Sequence, residues 1–293
     1  MFSVILQQGI NGVVVGGLYV LVALGLTLIY GVLVQINFAH ADIVTLGAFA
    51  AYFVAQLLGG NYLVSIGVAL MLGGVLGWLI NAAIFAPLRR HGSELLPLIA
   101  TIGVSIMLQN AMLLLFGPIP YAFSTPYSGK VIRLGTLFFT LQNVLIILVS
   151  ITTIGLLYAF MKFTFLGKAL RAVSQDRETA ALMGINPNFL IMLTFIIASA
   201  LAGMSGALLG PVLVLTPFAG TSVIVKAFAI VIIGGFGNIE GTIIAGLIVG
   251  LIESYTTQFL DPGLIDIVVF ALLLVMLALR PTGLIAEKRA ENV

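Results

Sequence analysis

Two short polar stretches interrupt an otherwise apolar chain, and they carry side chains that could bind or pass a solute. One is Gln35-Ile36-Asn37-Phe38-Ala39-His40-Ala41-Asp42, the other Gly234-Gly235-Phe236-Gly237-Asn238-Ile239-Glu240-Gly241. At a constant offset of 198 residues Phe38 meets Phe236, His40 meets Asn238 and Asp42 meets Glu240. Paired, glycine-interrupted apolar segments in the two halves of a chain point to a solute path. Asn37, His40, Asp42, Asn238 and Glu240 are the candidates for it. Each acid has a second reading, because both stand just before apolar runs and suit capping of a helix N-terminus. His40 is either a path residue or a hydrogen-bonded structural histidine. With two histidines, no cysteine and no ligand spacing, no metal site is expected. Paired catalytic carboxylates on one helix and a phosphate-binding Gly-x-x-x-x-Gly-Lys-Ser/Thr loop are both lacking, so no enzymatic step is expected of this chain.

The third informative segment is basic and runs from Lys162 to Asn188. Within it, Gly167 to Asn186 reads as one or two short amphipathic helices. Leu170, Val173, Ala180, Ala181 and Met183 offer apolar contact, and Arg171, Asp176, Arg177 and Glu178 offer charge. Gly184 suits a C-cap and Pro187 a stop. Such a segment is either a solvated loop on the membrane surface or a compact helix gripped by a cytosolic partner.

The elements that position these residues follow from composition. Of 293 residues 61% are hydrophobic and 8% charged, too few charges to cover a water-exposed surface of that size. A soluble enzyme, a nucleic-acid-binding domain and a disordered chain are thereby excluded. Apolar runs of membrane-crossing length, without the alternation of a barrel, predict an all-α polytopic transmembrane bundle. Spans are expected at about 9–33, 36–58, 63–86, 95–116, 138–161 and 189–210, with a broken region at 223–258 and a last helix at 264–280, giving eight or nine in all. The chain reads as a single domain, 1–293, whose first apolar run is retained rather than cleaved.

Nine of the twelve basic residues fall in three places: Arg89 and Arg90; Lys162, Lys168, Arg171 and Arg177; and Arg280, Lys288 and Arg289. The positive-inside rule puts these loops and the C-terminus in the cytoplasm, with Lys130 and Arg133 opposite, and leaves the side of the N-terminus open. The pairs Gly12/Gly16, Gly73/Gly77, Gly206/Gly210 and Gly246/Gly250 have the spacing for close helix approach, within the chain or at a subunit interface.

Four motifs in order along nearly the whole chain carry a resemblance. Ile36 to Asp42, followed by Leu46-Gly47-Ala48, resembles the "INFAHG…LGAY" segment of LivH-type branched-chain amino acid permeases, with Ala41 for the usual glycine and Phe49 interrupting the ending. Glu178-Thr179-Ala180-Ala181-Leu182-Met183-Gly184 resembles the Glu-Ala-Ala…Gly loop of ABC-importer permeases, with Thr179 in place of the first alanine. Gly234 to Gly241 and Arg280-Pro281-Thr282-Gly283-Leu284 resemble the same family's late glycine motif and its "RPxGL".

The resemblance implies a permease subunit that moves branched-chain or other hydrophobic amino acids across a bacterial or archaeal inner membrane by alternating access. It implies four kinds of partner besides membrane lipid. They are a second related permease of LivM type, two cytosolic ATPases of LivG and LivF type, and a periplasmic or lipid-anchored binding protein. ATP and Mg²⁺ would sit on the ATPases, with no cofactor on this chain. The coupling helix would lie in 162–188 and use Arg171, Asp176, Glu178, Ala180, Ala181 and Gly184. Urea or amide permeases of the same family are the nearest alternative. A stand-alone ion-coupled transporter using Asp42 and Glu240 is a different class, and uptake by the purified chain without any ATPase would identify it.

Overall fold

The computed structural model describes residues 1–89, 95–135 and 137–285; Arg90, His91, Lys288 and Arg289 lie outside them. The longest helix, α1 (Phe2–Leu33), is apolar all round and buried almost without interruption from Gly16 to Leu33. A helix of that composition belongs at the centre of a bundle, and α9, α10, α11 and α6 surround it. After a break come α2 (His40–Leu57) and α3 (Tyr62–Ile80), which continues through a π-helical turn, Asn81–Phe85, into the single turn α4 (Ala86–Leu88). Next are α5 (Leu95–Phe116), an antiparallel hairpin of β1 (Val131–Leu134) and β2 (Leu137–Thr140), and α6 (Leu141–Phe163). Two short helices, α7 (Phe165–Gln175) and α8 (Arg177–Leu182), lead to α9 (Pro187–Leu209). The chain closes with α10 (Ala219–Gly234), α11 (Ile239–Phe259), a 3₁₀ turn at Pro262–Leu264 and α12 (Ile265–Leu279).

Eight helical stretches among the described residues are long and apolar enough to cross a membrane, so the chain is a polytopic helical membrane protein. The ninth candidate, α10, has 16 residues and spans about 24 Å, short of a hydrocarbon core of about 30 Å. The broken region is thus a short helix, α10, and a full span, α11. The hairpin was not foreseen: the loop ends in strand, and α6 begins at Leu141 rather than 138.

The two ends of the bundle differ. Gln7 exchanges two hydrogen bonds with the Phe138 backbone, at 2.7 and 2.9 Å, so the start of α1 lies beside the hairpin that follows Lys130 and carries Arg133. At the other end of α1 lie Arg177 and its neighbour Arg89. The segment after Arg280 is pinned there too, Leu284 N donating to Ile233 O at 2.8 Å. The N-terminus is therefore on the face opposite the basic segments.

The glycine pairs serve packing within the chain. Gly12 and Gly16 of α1 meet Gly250, Leu251, Gly246 and Leu247 of α11, Gly73 and Gly77 of α3 meet Phe195, Ser199 and Gly203 of α9, and Gly206 of α9 meets Val44 of α2. A Cβ on Gly250 would fall on the Gly16 backbone, whereas one on Gly155 of α6 would meet nothing within 4 Å. Gly250→Val is expected to destabilise the protein by about 1–3 kcal/mol through overpacking, with Gly155→Val near neutral, as measured by thermal unfolding in detergent.

Candidate functional site

At the first break α1 ends in Val34, a non-glycine residue in the left-handed region at φ 57°, whose N–H donates to Tyr30 O at 2.7 Å. The chain then runs non-helically to α2. Asn37 is fully buried; its Oδ1 accepts from Ala39 N at 3.1 Å, and its carbonyl accepts from His40 N at 3.3 Å. His40 is also fully buried, with Nε2 at 3.3 Å from Val22 O, which assigns the proton to Nε2. Asp42 is buried and faces Ser105 and Gln109 of α5. Among the described residues, Asn37 Nδ2, His40 Nδ1 and one Asp42 oxygen have no hydrogen-bond partner. Each such buried group is costly, about 1–3 kcal/mol, and such groups in a native fold call for a functional or solvent explanation.

The second break turns on Gly235 (φ 104°) and Gly237 (φ 80°). Asn238 caps α11, its Oδ1 accepting from Gly241 N at 2.8 Å. Thr242 of α11 is joined to Thr27 of α1 by hydroxyls 2.8 Å apart. Glu240 is exposed in the first turn and accepts from Tyr158 Oη at 3.1 Å, and Tyr158 Oη accepts from Lys162 Nζ at 3.1 Å. Asn238, Glu240, Arg171, Tyr158, Thr27 and Gly31 line a cavity of about 520 Å³ at the basic end.

Both acids stand in the first turn of their helices, where a carboxylate complements the helix dipole, but neither is the N-cap residue. Ala39 precedes α2 with no side-chain cap, and Asp42 sits within the first turn; Asn238, not Glu240, caps α11. The Asn238 side chain supplies the cap acceptor, and Glu240, two residues on, lines the cavity instead.

The five candidate path residues fall into two groups. Val22 and Gly25, against which His40 packs, lie on the face of α1 opposite Thr27 and Gly31, which border the cavity. The two breaks are nevertheless neighbours: Gln35 and Asn37 of the first and Phe236 of the second border one small space, with the Phe236 ring centroid 4.1 Å from that of Tyr30 on α1 and the Phe38 centroid 5.7 Å from that of Phe228 on α10.

The segment from Lys162 to Asn188 is two capped helices. Thr164 caps α7 through Gly167 N at 3.0 Å. Asp176 caps α8 through Glu178 N and Thr179 N at 2.9 and 3.1 Å, and accepts from the Thr179 hydroxyl as well. Those bonds, the Thr179 side chain foremost, hold the exposed Asp176 carboxyl below the usual carboxylate range. Gly184, at φ 84°, closes α8 with Gly184 N on Ala181 O at 3.0 Å and Ile185 N on Ala180 O at 3.1 Å, a Schellman termination. Pro187 does not stop a helix; it opens α9, with Asn186 as cap.

Leu170, Val173 and Ala180 turn inward, while Glu178, Ala181, Leu182 and Met183 are exposed at the tip. Two arginines tie the segment to the bundle. Arg171 donates to Met161 O near the end of α6, and Arg177 Nη2 donates to Val32 O at the end of α1 at 2.7 Å. Both bonds place a cation on the unsatisfied carbonyls of a helix C-terminus.

One cluster was not foreseen. Lys226 of α10 donates to Glu253 Oε1 of α11 at 2.9 Å and to Tyr19 Oη of α1 at 3.2 Å, and Tyr19 Oη donates to Glu253 Oε1 at 3.1 Å. Lys226 and Glu253 are mostly buried, and Asp266 of α12 stands 4.0 Å from Lys226. Ionisable residues within spans mark functional sites by default. A lone lysine and a lone glutamate inside apolar runs were the available signal.

A family model described as "Branched-chain amino acid transport system / permease component" matches residues 9–277. The high-affinity branched-chain amino acid transport system permease protein LivH of Escherichia coli K12 is 34% identical over all of this chain and 99% of its own. The corresponding permease protein BraD of Pseudomonas aeruginosa is 34% identical over 98% of both. A probable branched-chain amino acid transport permease protein LivH of Methanocaldococcus jannaschii is 29% identical over 85% of this chain and 80% of its own. No solved structure matches significantly.

Proposed function

Since the chain belongs to the branched-chain amino acid transport permease family, the membrane-spanning subunits of ABC importers, we propose that it carries branched-chain or other hydrophobic amino acids inward by alternating access. Its basic end, with α7, α8 and the C-terminus, is cytoplasmic. Two ATPase subunits grip α7 and α8 and hydrolyse ATP there, a second related permease completes the path, and a binding protein delivers substrate to the hairpin face.

The observation that carries this reading is the α7–α8 segment. Its helices are capped, held at the end of the bundle, and exposed at Glu178, Leu182 and Met183. A short rigid helix with an apolar tip can dock into a partner and pass on that partner's motion, which a solvated loop cannot. Within the chain, Asn37, His40 and Asp42 offer unpartnered polar atoms to an amino-acid zwitterion on one side of α1. Asn238 and Glu240 border the cytoplasmic cavity on the other. ATP binding shifts the equilibrium between inward and outward states only through its differential affinity for them, so the docked segment must move with the path.

Gly184→Val tests docking. A β-branched residue at this left-handed φ costs about 1–2 kcal/mol, so ATPase association should weaken by roughly tenfold while membrane insertion is unchanged. Copurification of the ATPases at the normal level would count against a coupling role for α8.

A further inference from the structure

At the basic end, between the close of α3–α4 and the start of α9, lies a groove of about 790 Å³ lined by Asn81, Ala82, Ala86, Arg89, Arg177 and Phe189, among others. Its charge is unbalanced. Arg89 and Arg177 stand close enough for one to act on the other electrostatically, and among the described residues neither has an acidic partner. Arg177 uses Nη2 on Val32 O, while Arg89 Nη1 is buried with no hydrogen-bond partner among the described residues. Asn81 Oδ1, on the π-helical turn, is also buried and has no partner among the described residues. Burial first, and then the neighbouring Arg177 charge, pulls the Arg89 pKa down. Guanidinium does not deprotonate in proteins, so both positive charges persist, and an anion in the groove would offset them.

We propose that this groove binds an anionic glycerophospholipid, its phosphate between Arg89 and Arg177 and its acyl chains along Ala82, Ala86 and Phe189. The arrangement of the walls favours a lipid. The arginines lie where the helices end, and the apolar walls belong to the π-helical turn and α4 that continue α3 and to α9, with Phe189 half exposed. Basic pockets between spans bind anionic head groups on this principle, each arginine contributing through charge and hydrogen bonding. Asn81 Oδ1 would accept from a head-group hydroxyl, which makes phosphatidylglycerol the probe of choice. The proposal rests on the orientation inferred above only for the leaflet that supplies the lipid.

The test is native mass spectrometry of the full chain, alone and with its ATPases, after equilibration with phosphatidylglycerol, phosphatidylcholine or inorganic phosphate. The wild type should retain phosphatidylglycerol in preference to phosphatidylcholine, and inorganic phosphate should not displace it. Arg89→Gln should weaken retention about fivefold and Arg89→Lys less, both with unchanged melting temperature. No head-group preference in the wild type, or full retention by Arg89→Gln, overturns the proposal. So does competition by inorganic phosphate, which would mean a free-anion site. Loss of ATPase association in Arg89→Gln with lipid retention intact also overturns it and assigns the groove to a partner's carboxylate. None of these readouts requires transport, so the lipid site and the importer assignment fail separately.

Discussion

Lys226→Met is expected to lower the stability of the protein by about 3–5 kcal/mol, the usual cost of stranding one member of a buried ion pair. The substitution removes the hydrogen bonds to Glu253 and Tyr19 and the cation held 5.4 Å from the Tyr19 ring centroid. It leaves a carboxylate that is 15% exposed and already has one oxygen without a partner among the described residues. Asp266 on α12 adds a second negative charge on the same side. The double variant Lys226→Met/Glu253→Leu should recover most of the loss, because an apolar pair of similar volume costs little. Thermal unfolding in detergent and the yield of monodisperse protein measure both. A double variant as unstable as the single one would show that the instability comes from lost packing instead of charge. Uptake by the recovered double variant then reports whether the cluster serves transport or only holds α10 against α11.

Arg177→Gln is expected to separate ATP hydrolysis from transport. The Arg177 guanidinium joins α8 to Val32 O, two residues before the backbone turns left-handed at Val34. In the importer proposed here, that bond transmits motion of the docked helix to the break that holds Asn37 and His40. A hydrogen bond to a charged group contributes about 1.5–3 kcal/mol, so uptake should fall on the order of tenfold or more. The ATPases should still copurify, since the exposed tip at Leu182 and Met183 is untouched. Arg177→Lys should restore part of the uptake, because an ammonium still suits the helix C-terminus. Parallel loss of assembly and uptake in Arg177→Gln would sink the transmission role and leave a structural one.

How far the sequence reveals this molecule depends on the range of the interaction. The apolar runs, the two breaks and the capped character of 162–188 are local properties, written in composition, glycine placement and cap residues. Gly184 closes α8 as its sequence neighbours require. Pro187 shows where local reading divides, because proline suits both the end of one helix and the first turn of the next. The caps of α2 and α11 show another division, since Asn238 and Glu240 are two residues apart and both are plausible N-terminal groups. Lys226 and Glu253 are 27 positions apart on two helices, and nothing local joins them. The separation of His40 from Glu240 by α1 is likewise a fact of packing, invisible to a linear offset however well the two stretches match.

The glycine-lined contact between α1 and α11 also bears on how the chain is made. Gly12 and Gly16 await Gly246 and Gly250, which leave the ribosome more than two hundred residues later. Through most of synthesis the future centre of the bundle must wait in the bilayer with its smooth face against lipid. Its surroundings close only when the last spans insert. Contacts of such sequence separation are slow to form, because the entropy of closing the intervening chain is lost before they contribute. A nascent chain stalled after α9 would carry α1 without its partner helix and present an unfinished surface to membrane quality control. For this protein, the order of translation and the order of packing run against each other.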